Sequence, residues 1–293
     1  ALTSCRAILN AARSVGDEPT AISQLVRTAV VSMACATAER ALAQGEADDA
    51  DLAALQRALE EEDRYNGLLV MLRAERAMIH EVYDGLETGD VPLRQLFADV
   101  GASADWLTEL YLGGVAGDHF GAEHPVMLSL MTRCVEAARL PLHEQAEAER
   151  QFDATARPLG RKSGVLKLLL PAVGKIGYAE RRKHADVRCT ALALAAERYR
   201  RRHGDWPREL GQLTPDLLAA VPPDPFDGRP LRFRRLDDGV VIYSVNQDGE
   251  DDGGVLDDNP GARPGTDVGR RLWDVKHRRQ PPRPVPPPAP EDR

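Results

Sequence analysis

Apolar positions in roughly the first 160 residues recur at three- and four-residue steps within stretches rich in Ala, Leu, Glu and Arg, a pattern that predicts a succession of helices. The clearest runs from Thr20 to Ala43. There Ile22, Leu25, Val26, Ala29, Val30, Met33 and Ala36 share one face, predicted to be the packed one, with Arg27 and Glu39 elsewhere. Pro19 and Gly45 sit where helix boundaries are expected. After Glu46-Ala47-Asp48-Asp49, Asp51 is predicted to cap a helix reaching about Glu62. Leu68, Leu69, Leu72, Met78, Ile79 and Val82 form a second buried stripe that ends near Gly85. Further helices are expected at Val91–Val100, Ser103–Leu112 and His124–Leu140, then a polar one after Pro141 carrying Glu144, Glu147 and Glu149. This half reads as an irregular all-α bundle.

The period changes after residue 160. Leu166, Leu168, Leu169, Leu170, Val173 and Ile176 lead past Pro171 into a long helix through Val187, Leu192, Leu194, Ala195 and Tyr199. His203-Gly204-Asp205-Trp206-Pro207 should end it, since Gly and the residue before Pro both disfavour helix. Leu210, Leu213, Leu217 and Leu218 predict a short helix, followed by a rigid turn over Val221–Gly228. Leu231–Leu236 and Val240–Val245 flank Asp237-Asp238-Gly239 as a β-hairpin. A Gly/Asp loop then extends to about Thr266, and Gln280–Arg293 reads as an extended Pro-rich tail. The expected class is α+β: an all-α region at 1–160, a long helix with a small hairpin-containing module at 161–278, and the tail at 279–293.

Composition narrows the function classes. The 293 residues carry a net charge of −8, which argues against a nucleic-acid partner because phosphate tracking needs a broad basic excess. No stretch reaches the roughly 18–20 apolar residues of a membrane helix, so no bilayer span is expected. Residue 1 is Ala and not Met, which leaves room for a membrane anchor or targeting segment upstream. Cys5, Cys35, Cys134 and Cys189 are far apart, form no CxxC, and each lies in a helical apolar run, the setting of a buried free thiol.

Residues 193–254 carry several ordered motifs. The long helix ends in Glu197-Arg198-Tyr199-Arg200 and His203-Gly204-Asp205-Trp206-Pro207; Val221-Pro222-Pro223-Asp224-Pro225-Phe226-Asp227-Gly228-Arg229-Pro230-Leu231 follows; Val241-Ile242-Tyr243-Ser244-Val245-Asn246-Gln247-Asp248-Gly249 leads to Gly253-Gly254. In this order they resemble the globular part of type II secretion major pseudopilins, across about a quarter of the chain. The chain lacks the prepilin peptidase signature and the apolar amino-terminal helix of that family, and its helical half has no counterpart there. The combination also looks like proteins of planctomycete-type bacteria. The resemblance implies an extracytoplasmic or envelope-associated, non-enzymatic protein that works through protein partners, with Trp206, Phe226, Phe233 and Tyr243 as core aromatics.

The acidic loop is the main candidate for chemistry. Asp248, Glu250, Asp251, Asp252, Asp257 and Asp258 stand among Gly249, Gly253 and Gly254, which is dense oxygen ligation on a backbone able to fold tightly. Calcium takes six to eight oxygens in flexible geometry. Asn259 occupies the place of an EF-hand's bidentate Glu and a strand precedes the loop, so an EF-hand is excluded. The resemblance implies calcium here, held by main-chain carbonyls, with Val245 as one such residue, and by Asp side chains. Asp248 aligns directly; the glycine pair is displaced by one residue, leaving Asp252, Asp257, Asp258 and Asp267 as alternatives for the remaining ligands.

Other constellations are weaker. Asp118, His119, Glu123 and His124 form the only His/carboxylate cluster in the sequence, at a spacing that matches no ligand motif and reads as a local loop. Gly160-Arg161-Lys162-Ser163-Gly164 lacks the spaced first glycine of a phosphate loop. There is no Gly-x-Ser-x-Gly elbow. A hydrolase or small-ligand or peptide binder would place its cleft in the helical half, around Glu75, Glu81, Asp118 and His119. Arg181-Arg182-Lys183, with Arg188, Arg198, Arg200, Arg201 and Arg202, is predicted to dock the long helix against the acidic Glu144–Glu149 helix or the Asp248–Asp258 loop rather than to bind an anionic partner.

Overall fold

The computed structural model describes residues 1–90, 116–160, 173–257, 263 and 266–279. The helices expected at 91–100 and 103–112, the stretch Arg161–Ala172, Asp258 and the tail from Gln280 lie outside the described residues, as do the side chains of Asp118 and His119. The fold is mostly helical with one three-stranded antiparallel sheet, an α+β arrangement.

Seven helices are described: α1 Leu2–Arg13, α2 Ala21–Gln44, α3 Asp49–Glu62, α4 Gly67–Thr88, α5 Ala116–Ala137, α6 Leu142–Gly160 and α7 Val173–His203. Their starts follow capping chemistry. Thr20 Oγ1 accepts from Ser23 N–H, Asn66 Oδ1 from Leu69 N–H, and Asp48, not Asp51, caps α3 by accepting from Asp51 N–H at 2.8 Å. α4 runs past Gly85 and stops at Gly89, whose φ of +82° only glycine adopts cheaply. α5 starts before His124, so His119 and His124 lie on a helix rather than in a loop.

α7 is the axis of the molecule. It packs against α2, α3, α6 and the sheet and is buried on nearly every side between Glu180 and Glu197. An all-round buried helix must neutralise its charges. Arg181 makes a two-pronged pair with Glu149 on α6 at 2.6 and 2.8 Å, Arg188 reaches Asp63, Arg198 reaches Asp49, and Arg182 reaches Asp257 in the acidic loop. The basic run therefore docks α7 onto both predicted acidic partners.

The strands β1 Arg232–Leu236 and β2 Gly239–Ser244 form the expected hairpin, with Leu236 opposite Gly239 across Asp237-Asp238. β3, Val268–Trp273, pairs with the other edge of β2 and was not foreseen. Its Gly269-Arg270-Arg271 core hides the strand signal, because Arg270 is a buried partner of Asp186 and Thr190 on α7 rather than a surface charge.

The hydrophobic cores do not part at residue 160. Leu2, Leu9, Val31, Leu55 and Leu59 share one core with Leu192, Trp206, Ile242 and Leu272, whereas a second core joins α4, α5, α6 and Val173. The last described residues belong to the first body as well: Arg279, expected in the tail, donates its backbone N–H to Ala43 O at 2.9 Å. All four cysteines are buried and unbridged. Of the expected core aromatics, Trp206 and Tyr243 are buried; Phe226 and Phe233 are half-buried.

Two expectations about α2 are corrected. Its predicted packed face points outward: Ile22, Val26 and Met33 are 75%, 50% and 57% exposed, and Leu25 and Ala29 are exposed too. The buried face is Gln24, Arg27, Val31, Ala34, Cys35, Ala38 and Leu42. Second, α2 is long and apolar enough to cross a membrane by length and composition. In this fold it packs against α1, α7 and β3. Met78, expected inside, is exposed on α4.

Candidate functional site

Strand alternation decides where the acidic loop sits. Val240 and Ile242 of β2 face the main core, so Val241 and Tyr243 point to the opposite side, where Leu256 covers them. The loop crosses this outer face. Gly254, at φ +81°, lies so near that a Cβ would meet Val241 Cγ1 at 2.8 Å. Asn246 turns the chain out of β2 at φ 59°, its amide donating to Thr266 O at 2.8 Å while its Oδ1 accepts from Tyr178 OH at 3.2 Å. Leu256 bridges to Asp267, and Asp257 N–H donates to Asp267 O at 2.9 Å. The loop is thus fastened at both ends to the sheet.

The predicted ligands separate into distinct roles. Asp248 is exposed and its Oδ1 accepts from Glu250 N–H at 3.1 Å, a local turn bond. Asp252 is half-buried, 3.5 Å from Arg263. Asp257 is held in a two-pronged pair by Arg182, with Tyr178 OH accepting from the same guanidinium. Val245 is buried, its N–H donating to Asp224 Oδ2 at 3.0 Å. Asp267, immediately before β3, is 0% exposed. Its Oδ2 accepts from Gly254 N–H at 2.8 Å, but its Oδ1 is buried with no hydrogen-bond partner. Burial pushes its acid up to about 6, against the backbone N–H groups of Gly254 and Asp252, which favour the charged form, and with the help of the carboxylates of Asp251 and Asp252.

Asp267 is therefore a buried carboxylate beside Asp251 and Asp252 that makes no ion pair among the described residues. A hard cation fits that environment, since it would occupy the vacant lone pair and offset the repulsion. Among the described residues no three His, Cys, Asp or Glu side chains are grouped as a metal cage. Main-chain carbonyls and water would have to complete the shell.

Two features were not singled out as functional from the sequence. Asp224, in Pro223-Asp224-Pro225, is fully buried; it accepts from Phe226 N–H at 2.9 Å, Ser244 Oγ at 2.7 Å, Val245 N–H and Arg232. It ties the Pro-rich turn to the end of β2, at the root of the acidic loop. An Asp between two prolines was the available signal.

The second is a relay between α4 and α5. His124 Nδ1 lies 2.7 Å from Glu87 Oε1, and His124 Nε2 lies 2.9 Å from His80 Nδ1. The carboxylate requires a proton on His124 Nδ1, so in the neutral ring Nε2 accepts from His80. Tyr83 stacks on the His124 ring and donates its hydroxyl to Glu123 at 3.3 Å. His80 and Glu87 stand two turns apart on α4, and both lie too far in sequence from His124 to suggest a pair. Of the carboxylates proposed for a cleft, Glu81 is exposed, and burial raises Glu75 above its usual value, against the Ala21 backbone N–H that it accepts from. The cavity between α4, α5 and α6, lined by Leu68, Leu72, Cys134 and Phe152, holds about 10 Å³, room for about one water.

No family model, no curated protein and no solved structure matches this chain.

Proposed function

We propose that this chain is a structural, protein-interaction component rather than an enzyme, and that its carboxy-terminal module is ordered by a calcium ion in the acidic loop. The observation that carries the reading is the buried, unpartnered Oδ1 of Asp267 beside Asp251 and Asp252. The ordered motifs from Ala193 to Gly254 support a pseudopilin-like module, and with it an envelope or secretion-associated setting.

The test is thermal unfolding of the whole chain with calcium at millimolar concentration and with chelator. Ligand bound only to the folded state raises the midpoint by mass action. Wild type should gain several degrees with calcium. Asp248→Ala should lose part of that gain and Asp267→Asn all of it, while in chelator Asp267→Asn equals or exceeds wild type because a buried charge is gone. A wild-type midpoint indifferent to calcium would end the calcium reading.

A second reading, proton-transfer chemistry in the helical half, is favoured by the Glu87, His124 and His80 relay. Ester or peptide hydrolysis that vanishes in His124→Ala would support it over the interaction reading.

A further inference from the structure

We propose that the outward face of α2 pairs with α2 of a second copy of this chain, antiparallel and about a two-fold axis. The face is a repeat: Ile22, Val26, Ala29, Met33, Ala36 and Arg40 alternate four- and three-residue steps, the 3.5-residue period of a helix seam that meets another helix. Ile22, Val26, Ala29, Met33 and Arg40 are exposed and Ala36 is half-buried. A stripe of this size left in water is uncommon on a monomer.

The order of side chains selects the partner and its direction. Turned head to tail about a point near residue 31, the two helices place Val26 opposite Ala36 and Met33 opposite Ala29. Each large side chain then meets a small one, as interdigitated packing requires. Ile22 meets the aliphatic stem of Arg40. The Arg40 guanidinium projects past the start of the partner helix, toward Glu18, which is exposed just ahead of the Thr20 cap. Among the described residues neither Glu18 nor Arg40 makes an ion pair within the chain, so this complementarity is unused by the monomer. A parallel pair would set Arg40 against Arg40. The seam's flanks carry no repelling charge: Ser32 turns in to Asp186, Glu39 accepts from Arg271 N–H of β3, and Ser23 and Thr37 are neutral. An anionic lipid surface is disfavoured because the stripe has acidic Asp17 and Glu18 at one end instead of flanking Lys and Arg.

The interface is isologous and small, one helix face per copy, so association belongs to the weak range and should be followed by sedimentation up to about 1 mM chain. Wild type should approach twice 32.1 kDa as concentration rises. Val26→Glu should remain at the single-chain mass with unchanged helix content. Arg40→Glu should weaken association about ten-fold, and the swap Glu18→Arg with Arg40→Glu should recover it, a rescue that general misfolding does not produce. Ala29→Cys chains mixed with Met33→Cys chains should oxidise to a cross-linked pair, because the four native cysteines are buried. Wild type staying at single-chain mass throughout overturns the proposal, as does a dimer that survives Val26→Glu. Binding of the single chain to phosphatidylglycerol vesicles, lost in Val26→Glu, would overturn it in favour of a lipid surface.

Discussion

Arg27 on α2 and Glu62 at the end of α3 form a two-pronged ion pair, both bonds 3.1 Å, beneath the Tyr65 ring whose centroid lies 3.5 Å from the guanidinium carbon. Both side chains are buried, and Arg27 lies on the inward face of α2. With Arg27 committed inward, the residues a half-turn away must face out. Arg13 on α1 adds a second contact to Glu62 at 3.4 Å, so one carboxylate holds three helices.

Removing one member of a buried pair costs about 3–5 kcal/mol when the other is left alone, and toward the low end here because Arg13 still reaches Glu62, whereas replacing both with apolar residues is often nearly neutral. Arg27→Met should therefore lower unfolding stability by about 3 kcal/mol in urea. The double variant with Glu62→Met should regain much of it, tempered by the loss of Arg13's partner. Equal losses in the single and double variants would show that the pair does not orient α2.

Acid should attack the base of α7. Burial pushes the Glu197 carboxyl up, but the guanidiniums of Arg200 and Arg278 outweigh it and hold the acid below the usual range. Asp63 is likewise lowered, His184 and Arg188 overcoming its burial. A folded-state value below the unfolded one contributes stability that is present above the unfolded value and lost as pH falls through the folded one. Stability followed from pH 7 downward should rise as the Asp267 acid, pushed up to about 6, takes its proton, and then fall below about pH 4.5 as the Glu197 and Asp63 contributions are lost. In Glu197→Gln with Arg278→Met the acid limb should be shallower.

The Arg182 pair with Asp257 fastens the far end of the acidic loop to α7. It is partly exposed, so its stability contribution should be about 1 kcal/mol or less. Its larger effect is local. Asp257→Asn should make the segment around Asp248–Gly254 cleave faster under limited proteolysis, with global unfolding little changed, in calcium and in chelator alike. Unchanged cleavage would mean that Leu256 on Val241 and Tyr243 suffices to hold the loop.

Asp224 has four donors and no exposure, so Asp224→Ala should unfold the module more readily by about 3 kcal/mol or more, measured by Trp fluorescence in denaturant. Asp224→Asn keeps the shape but places an amide where acceptor oxygens are needed, and should cost a similar amount. A loss below 1 kcal/mol would remove Asp224 from the role of hub.

Local rules carried much of the fold. Helical period and the Asp-Gly turn located α2 to α4, the end of α7 and the β1–β2 hairpin, because these depend on neighbours within a few residues; α1 was not picked out. The acidic loop was visible as a cluster of like charges. Its division into an Arg-bound Asp257, a solvent-facing Asp248 and a buried Asp267 was not, since each depends on what lies across the fold.

The same limit explains α2. By itself the sequence marked residues 20–43 as helical and predicted burial of one continuous apolar face with Arg27 elsewhere, whereas the fold buries the other face, of Val31, Ala34, Cys35, Ala38 and Leu42 with Arg27 among them. Tertiary structure alone decided between them. Glu62 supplies a buried counter-charge from 35 residues away, and small side chains on the Arg27 side let α1, α7 and β3 approach closely. Hydrophobicity ranks a face by its own residues; burial also depends on the partners the rest of the chain brings to it.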